Sequence, residues 1–244
     1  MTHKTKGVVL RPVKYGETSI IATVYTELFG LQSYLVKGVR QQKKTGTQAV
    51  YFQPGAILDM EVYHNEMKNL QFIKEFQWAY LYTSVFSDVV KHAAAMYMIE
   101  LLLHCLKQPE ANPELYYLAE DSLKQLDKGS ATFAANLPLF FTLHLAGELG
   151  FQVQGAYSVQ TPIFDLREGF FTDNIPGHMQ YVSGPVAATI SVFSNIQLYN
   201  ELDHLQLNRT ARRETLDVLN GYMALHVEGF GSLKSVAVLQ EVLA

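Results

Sequence analysis

Residues 19–39 read S-I-I-A-T-V-Y-T-E-L-F-G-L-Q-S-Y-L-V-K-G-V, and this stretch decides the fold of the first part of the chain. Its two runs, Ser19–Thr26 and Leu31–Val39, are rich in β-branched and aromatic residues, which favour strands. The pair Phe29-Gly30 lies between them, and two such runs joined by a short turn with glycine are typical of a β-hairpin. We therefore predict an antiparallel hairpin here.

Three further segments of the first 80 residues show the same strand character. Apolar and polar residues alternate along them, which indicates half-buried strands. They are Lys6–Val13, Ala56–Tyr63 and Leu70–Trp78. Five short strands without a helix between them predict a small closed barrel of the OB type, although an SH3-like barrel would give a similar pattern.

The apolar period changes after Tyr80, where apolar residues recur at intervals of three and four, as on one face of a helix. Residues 151–183 interrupt this pattern and predict a small hairpin excursion. We predict an α+β fold in two domains, an OB-type barrel domain at 1–80 and an all-α helical domain at 81–244. The predicted helices are Ser87–Lys107, Pro113–Leu126, Ala131–Leu149, Pro185–Asn195, one that begins after Asn208, and Ser232–Leu243.

Charge is distributed unevenly between these two parts. Residues 1–80 contain ten lysines and arginines against six aspartates and glutamates, a net charge of +4. Because the whole chain carries −4, residues 81–244 carry −8. A basic module joined to an acidic one suggests that the first faces phosphate and that the second faces protein or solvent.

Composition and motifs exclude several classes of protein. Hydrophobic residues make up 48% of the chain, which excludes global disorder. The single cysteine, Cys105, excludes an internal disulfide framework and a cysteine-rich zinc site, and the histidines lack metal-binding spacing, so we predict no metal and no cofactor. A signal peptide and a membrane-spanning run are both missing from the sequence, which predicts a cytoplasmic protein without membrane contact.

No motif for catalysis is present in the sequence. It contains no G-x-S-x-G, no P-loop, no dinucleotide fingerprint and no paired carboxylates with a plausible cleft. We therefore predict that the protein is not an enzyme.

The candidate site for nucleic acid is the basic hairpin with the loop that follows it. Proteins that bind single strands combine cations that track the phosphates with flat rings on which bases stack. The alternative is a solvated loop beside core aromatics, since short lysine clusters are common on surfaces. The predicted cations are Lys14, Lys37, Arg40, Lys43 and Lys44, and the nearest rings are Tyr15, Phe29 and Tyr34.

A second cluster of cations opens the helix that follows Asn208. Arg209, Arg212 and Arg213 are spaced three and four apart, so they can share one helix face. Arginine forms bidentate hydrogen bonds with carboxylate or phosphate, and the cluster could bind an acidic partner peptide. The alternative is an ordinary solvated face.

Residues 6–30, K-G-V-V-L-R-P-V-K-Y-G-E-T-S-I-I-A-T-V-Y-T-E-L-F-G, resemble the opening of the RecO family. That opening has a G-x-V-L strand, a Y-G-E-x-S turn and a strand that ends in T-x-x-x-G. The run Lys37-Gly38-Val39-Arg40 falls where the family has K-G-x-R. The resemblance is specific over the first 40 residues and looser afterwards, and it implies an N-terminal OB barrel followed by a helical domain.

The resemblance also implies a function and partners. It implies a recombination mediator of DNA repair that binds and anneals single-stranded DNA and helps to load recombinase. The implied partners are single-stranded DNA, RecR and the acidic C-terminal tail of single-strand-binding protein, and the implied location is the bacterial nucleoid. For that tail we predict a receptor at Arg209, Arg212 and Arg213. The alternative is a scaffold for protein interactions whose barrel does not contact DNA.

The sequence departs from the family in one respect. Many members carry a four-cysteine zinc motif in the excursion, whereas residues 151–183 contain no cysteine. We therefore carry over no metal, and expect packing of aromatic residues to stabilise the excursion. These are Phe164, Phe170, Phe171 and Tyr181.

Overall fold

The computed structural model describes residues 2–41 and 48–243, and the first part of the chain forms a closed barrel. Its strands follow in the order β1-β2-β3-β5-β4, and β1 pairs with β4 to close it. Only the pairing of β3 with β5 is parallel among the barrel strands described. This order is that of an OB barrel, so the predicted fold class is confirmed. The strands are β1 (Thr2–Tyr15), β2 (Ser19–Thr26), β3 (Gly30–Val36), β4 (Ile57–Tyr63) and β5 (Leu70–Trp78).

Alternate residues of each strand fill the barrel. Val24, Tyr34, Leu58 and Val62 are among the fully buried side chains of this core. Burying a large apolar side chain contributes about 1.5–3 kcal/mol, so these positions account for much of the stability of the barrel. The prediction for β3 was three residues too long, because the strand ends at Val36 and the chain then turns through Gly38, whose φ is +71°.

Helices dominate the rest of the chain. The structure also has two 3-10 turns that the sequence pattern did not predict, one between β3 and β4 at Gln48–Phe52 and one between α4 and α5 at Tyr199–His204. Contacts divide the chain into two compact units: Met1–Thr83 with Cys105–Lys124, and Ser84–His104 with Gln125–Ala244. Among the described residues, no helix is both long and apolar enough to cross a membrane. The helices are α1 (Val89–Cys105), α2 (Pro113–Lys128), α3 (Ala131–Glu148), α4 (Gly184–Asn195), α5 (Arg209–His226) and α6 (Ser235–Val242).

In the first unit, the segment 105–124 covers part of the outer face of the barrel. The Tyr25 hydroxyl donates to the carbonyl of Asn112 at 3.1 Å, and its ring packs 6.0 Å from that of Tyr116. Gly30 has a φ of +61° and lies against the backbone carbonyl of Glu110, where a Cβ atom would clash. Tyr25 is therefore fully buried although it points out of the barrel.

In the second unit, α3 is the most buried helix, and polar side chains hold the N-termini of α5 and α6. The Asn208 side chain accepts from the backbone N–H of Ala211 and caps α5, as the sequence predicted. The carboxylate of Glu100 accepts from the backbone N–H groups of Lys234 and Ser235. Since those bonds hold the N-terminus of α6, the helix begins at Ser235, three residues later than predicted.

The excursion is a three-stranded antiparallel sheet in the order β7-β6-β8. Phe164 and Phe171 are buried with ring centroids 4.9 Å apart, in agreement with the expected aromatic packing. Phe170 differs, because alternation along β7 turns it outward and leaves 40% of it exposed. The sequence predicted a hairpin of two strands, and the structure adds a third strand that pairs with the other side of the first. The strands are β6 (Ile163–Asp165), β7 (Phe170–Thr172) and β8 (Tyr181–Ser183).

Candidate nucleic-acid interface

Two of the predicted cations lie at the same end of the barrel. Lys14 on β1 is paired with Ile20 on β2, and Ile20 is paired with Val36, the last residue of β3. Lys37 follows Val36 and therefore lies at the same end of the barrel as Lys14. Both lysines are exposed. Cations gathered at one end of an OB barrel can track a phosphate backbone.

Arg40 has a structural role beside these lysines. Its Nη1 donates to the carbonyl of Gly16 at 3.1 Å, and its backbone N–H donates to the carbonyl of Thr18 at 3.0 Å. Arg40 therefore connects the end of the β2–β3 hairpin to the β1–β2 turn. Lys43 and Lys44 lie outside the described residues.

The three predicted rings lie in three different environments. Tyr15 is exposed near the lysines. Phe29 lies at the opposite end of β3 from Lys37 and stacks on His64 with ring centroids 3.9 Å apart, so it does not join the cation cluster. Tyr34 is fully buried among the core residues, and this burial raises the pKa of its hydroxyl. Because neither face of Tyr34 is accessible, its predicted role in base stacking is not carried further.

The structure brings two other rings next to Lys37 that the sequence analysis missed. Phe72 on β5 and Tyr63 on β4 are directly paired and are 38% and 47% exposed. The Lys37 ammonium lies 5.7 Å from the centroid of the Phe72 ring, within range of a cation–π interaction. A cavity of about 620 Å³ opens here, and Lys74 also lines it. Alternation places Phe72 on the same face as Lys74, and this was the available signal that the ring faces solvent.

Another cleft on the barrel, of about 490 Å³, has the opposite character. Lys4 and Lys6 also line it, but carboxylates outnumber them, and such a surface repels phosphate. Lys74 lies between the two regions and bonds Glu61 at 2.9 Å, which lowers the pKa of that carboxyl. The surface around Lys37 is therefore the better candidate for nucleic acid. The acidic residues of this cleft are Glu27, Asp59, Glu61 and Glu75.

The arginine cluster of α5 is divided between two roles. Arg209 and Arg213 are exposed. Arg212 instead donates hydrogen bonds from Nε and Nη2 to the Oδ1 of Asn136, at 3.3 and 3.2 Å. Its Nη2 also donates to the carbonyl of Leu207 at 3.1 Å. Burial lowers the pKa of Arg212. The prediction that Arg212 receives an acidic tail is thus at odds with its hydrogen bonds. Arg209 and Arg213 remain candidates, although the adjoining recess of about 10 Å³ holds little more than a water molecule.

Metal-binding and reactive groups were sought in the part of the chain that the structure describes. Within residues 2–41 and 48–243, no group of three or more histidine, cysteine, aspartate or glutamate side chains is placed to hold a metal ion. Cys105 is buried, and burial raises the pKa of its thiol to about 12. A thiol with that pKa carries almost no thiolate at neutral pH and is a poor nucleophile.

An OB barrel with exposed cations beside exposed rings is typical of proteins that bind single-stranded nucleic acid. The family model for the recombination protein O N terminal matches residues 1–82, and that for its C terminal matches residues 87–236. The chain belongs to the RecO family of DNA repair and recombination proteins.

Relatives named DNA repair protein RecO match this chain over nearly its whole length. The relative from Christiangramia forsetii is 31% identical over 238 residues, 98% of both chains. That from Bacteroides fragilis is 32% identical over 243 residues, 99% of both, and that from Flavobacterium psychrophilum is 30% identical over 246 residues, 100% of both. The resemblance recognised in the first 40 residues thus extends along the chain.

Proposed function

We propose that the protein binds and anneals single-stranded DNA through the barrel surface around Lys37 and Phe72. The observation that carries this proposal is the exposed Lys37 ammonium beside the exposed Phe72 ring on an OB barrel. The cation serves a phosphate and the ring serves a base, which are the two parts of a single-strand site. Lys14, Tyr15 and Arg40 extend this surface toward the β1–β2 turn.

We also infer the cellular role that the family resemblance implies. The protein acts without catalysis as a recombination mediator that, with RecR, loads recombinase onto strands coated by single-strand-binding protein. It works in the bacterial cytoplasm at the nucleoid. The barrel at 1–80 contacts DNA, and the helical part at 81–244, with its charge of −8, serves protein partners. The names of the relatives support DNA repair as the setting.

Salt titration of the full chain tests DNA binding. Each phosphate contact with a single strand contributes about 0.7 to the slope of log affinity against log salt. Replacing Lys37, Lys43 and Lys44 by alanine is therefore expected to weaken binding to oligo-dT and to reduce that slope by up to about 2. Arg40 is left in place because it holds the β1–β2 turn.

The control is Lys4→Ala, which removes one lysine beside the acidic cleft and is compared with Lys37→Ala alone, a change of the same charge. The Lys4→Ala variant is expected to keep the affinity and the slope of the parent. If the triple variant also keeps both, the proposed site is wrong. A parent protein that shows no salt-dependent binding to oligo-dT favours the scaffold for protein interactions instead.

Binding of the acidic tail of single-strand-binding protein is tested on the exposed arginines. Charge reversal of Arg209 and Arg213 to glutamate, with Arg212 left intact, is expected to weaken binding of a tail peptide measured by calorimetry. If the affinity is unchanged, the receptor lies elsewhere in the second unit. The next candidate is an apolar groove of about 440 Å³ lined by Phe86, Val89, Met96 and Val238, with Lys234 at its rim.

A further inference from the structure

The acidic cleft on the barrel takes no part in the proposed function, because its carboxylates repel phosphate. We propose that this cleft binds an extended, arginine-rich segment of a partner protein. The barrel unit then carries a protein interface of its own, in addition to the surface around Lys37. The inference does not depend on DNA binding, since it needs a ligand of the opposite charge.

The strand register places the carboxylates of the cleft on the outside of the barrel. Lys4 of β1 is opposite Glu61 of β4, and Glu61 is opposite Glu75 of β5. Directly opposed residues point to the same face of a sheet, so these three share one face. Met60, which lies between Asp59 and Glu61, belongs to the barrel core. Since neighbours along a strand point to opposite faces, the two carboxylates of β4 point outward.

The charges of the barrel are concentrated in this cleft. Four of the six acidic residues in residues 1–80 line it, together with two lysines, which gives the lining a net charge of −2. One of these lysines, Lys6, also interacts with the buried Glu120 of α2 at 3.7 Å, so its charge is shared. The cleft therefore has an excess of negative charge that the barrel itself does not balance.

The opposed pair of Glu61 and Glu75 is unfavourable in the free barrel. Like charges directly opposite each other on neighbouring strands destabilise a sheet. Lys74 bonds Glu61 at 2.9 Å, whereas Glu75 and Asp59 make no ion pair with any other described residue. A cation bound among these carboxylates would relieve the repulsion, and this favours a basic ligand.

A buried hydroxyl beside the cleft also lacks a partner. Tyr116 of α2 is fully buried, and its hydroxyl makes no hydrogen bond with the residues that the structure describes. Burial and the charges of Glu120, Glu27 and Asp59 raise the pKa of Tyr116, so its hydroxyl is directed toward the carboxylates of the cleft. This region has more acceptors than donors, and a guanidinium brings five N–H donors.

Helix α2 extends the acidic surface beyond the strands. The Tyr117 hydroxyl donates to the carboxylate of Glu27 at 2.5 Å, so α2 borders the cleft. Glu114 and Asp121 are exposed and lie three and four positions from Tyr117, on the same face of the helix. The segment 105–124 contains four acidic and two basic residues, a net charge of −2. The surface open to a basic ligand thus continues from the barrel strands onto the helix.

The spacing of the carboxylates suits an extended chain. Alternate residues of a strand are about 6.8 Å apart, so Asp59 and Glu61 are separated like alternate side chains of a peptide that lies along β4. The strands β1, β4 and β5 together are about 10 Å wide, since neighbouring strands are about 4.8 Å apart. Arginine has a planar fork that bonds a carboxylate bidentately. A segment with arginine at alternate positions therefore matches the cleft in charge and in repeat.

A labelled peptide in which arginine alternates with serine tests the inference on the full chain. The same peptide with neutral citrulline in place of arginine is its control, and the parent protein is expected to bind only the arginine peptide at low salt. The double variant Asp59→Lys with Glu75→Lys is expected to weaken this binding by at least about tenfold, because like charges across an interface are strongly unfavourable. Fluorescence anisotropy measures each affinity.

The matched control is Asp173→Lys with Glu228→Lys, which makes the same change of charge at two exposed positions of the second unit. Its affinity for the arginine peptide is expected to stay within about threefold of the parent, because distant surface charges are screened. The cleft variant is expected to bind oligo-dT at least as tightly as the parent, since it has lost charges that repel phosphate.

Cross-linking provides a measurement that needs no variant. A benzophenone group on the arginine peptide is expected to link the parent protein at β4, β5 or α2. Links confined to the second unit would overturn the inference, even if a lysine variant failed to fold.

The remaining outcomes are also decisive. If the control variant loses as much affinity as the cleft variant, the peptide responds to net charge alone and the inference is wrong. If the cleft variant changes the oligomeric state of the protein, a second copy of the chain occupies the cleft, which also overturns it. A parent that binds the arginine peptide at the cleft but no oligo-dT would refute the proposed function and leave this inference intact.

Discussion

Arg212 offers a sharp test of how the helical unit is held together. Its guanidinium is the donor to the Oδ1 of Asn136, and the amide nitrogen of Asn136 donates to the carbonyls of Leu202 and Leu205, both at 2.9 Å. Asn136 is fully buried on α3. The network thus connects the start of α5 to α3, to the 3-10 turn at Tyr199–His204 and to Leu205, the residue after that turn.

The change we consider is Arg212→Met, which keeps the apolar stem and removes the donors. The buried Oδ1 of Asn136 then loses both bonds from Arg212, and leaving a buried acceptor without donors costs about 1–3 kcal/mol. A domain is stable by about 5–15 kcal/mol, so the expected loss is a substantial fraction of the total. Arg212 as a whole is only half-buried, and a water that replaces its guanidinium would bring the loss toward the lower limit.

Urea denaturation measures this loss in each unit by a separate signal. Far-ultraviolet circular dichroism reports mainly on the helices, and fluorescence of the single tryptophan, Trp78, reports on the barrel. We expect the helical transition to move to lower urea and the Trp78 transition to stay in place. Recording both signals matters because two units can unfold in separate steps.

The control is Arg213→Met, one residue further along the same helix. Its side chain is exposed and makes no hydrogen bond or ion pair with the described residues. It removes the same charge and is expected to change the free energy of unfolding by less than about 0.5 kcal/mol. A loss for Arg212→Met within that range would refute the structural role assigned to Arg212. It would also return Arg212 to the set of candidate receptors for an acidic tail.

Two further predictions concern the backbone and metal content. Gly30 and Gly16 have φ angles of +61° and +58°, but only Gly30 lies against a neighbouring backbone. Gly30→Ala is therefore expected to lower the thermal midpoint of barrel unfolding clearly more than Gly16→Ala does. Equal shifts would mean that the contact with Glu110 gives way without cost. Elemental analysis of the purified protein is expected to find no stoichiometric zinc, because a structural zinc site needs about four ligands and the chain has one cysteine. A content of about one zinc per chain would contradict this prediction.

The barrel could be predicted from the sequence almost strand by strand. Ser19–Thr26 and Leu70–Trp78 have the bounds that alternation and turn residues indicated. What alternation could not provide was the choice between an OB and an SH3-like barrel. That choice depends on the parallel contact of β3 with β5, which joins residues more than 30 positions apart and leaves no local pattern.

The site was predicted less completely, for a physical reason. Charge is visible in a sequence, and Lys14 and Lys37 are exposed as expected. Whether a ring faces inward or outward depends on register, and so Tyr34 was assigned to the surface while Phe72 was overlooked. Arg212 shows the same limit, because its partner Asn136 lies 76 residues away.

The assignment of the segment 105–124 to the barrel unit has a consequence for the order of events during synthesis. A ribosome releases the five strands first, while the residues that cover Tyr25 follow roughly 40 residues later, a delay of about 2–8 s at ordinary translation rates. Throughout that interval the nascent barrel presents Tyr25 to the surrounding solvent and to chaperones. Helix α1 is synthesised after the strands and before the segment 105–124, and that segment has to pack back on the barrel. The time needed to synthesise residues 83–124 therefore sets how long Tyr25 of the growing chain stays uncovered.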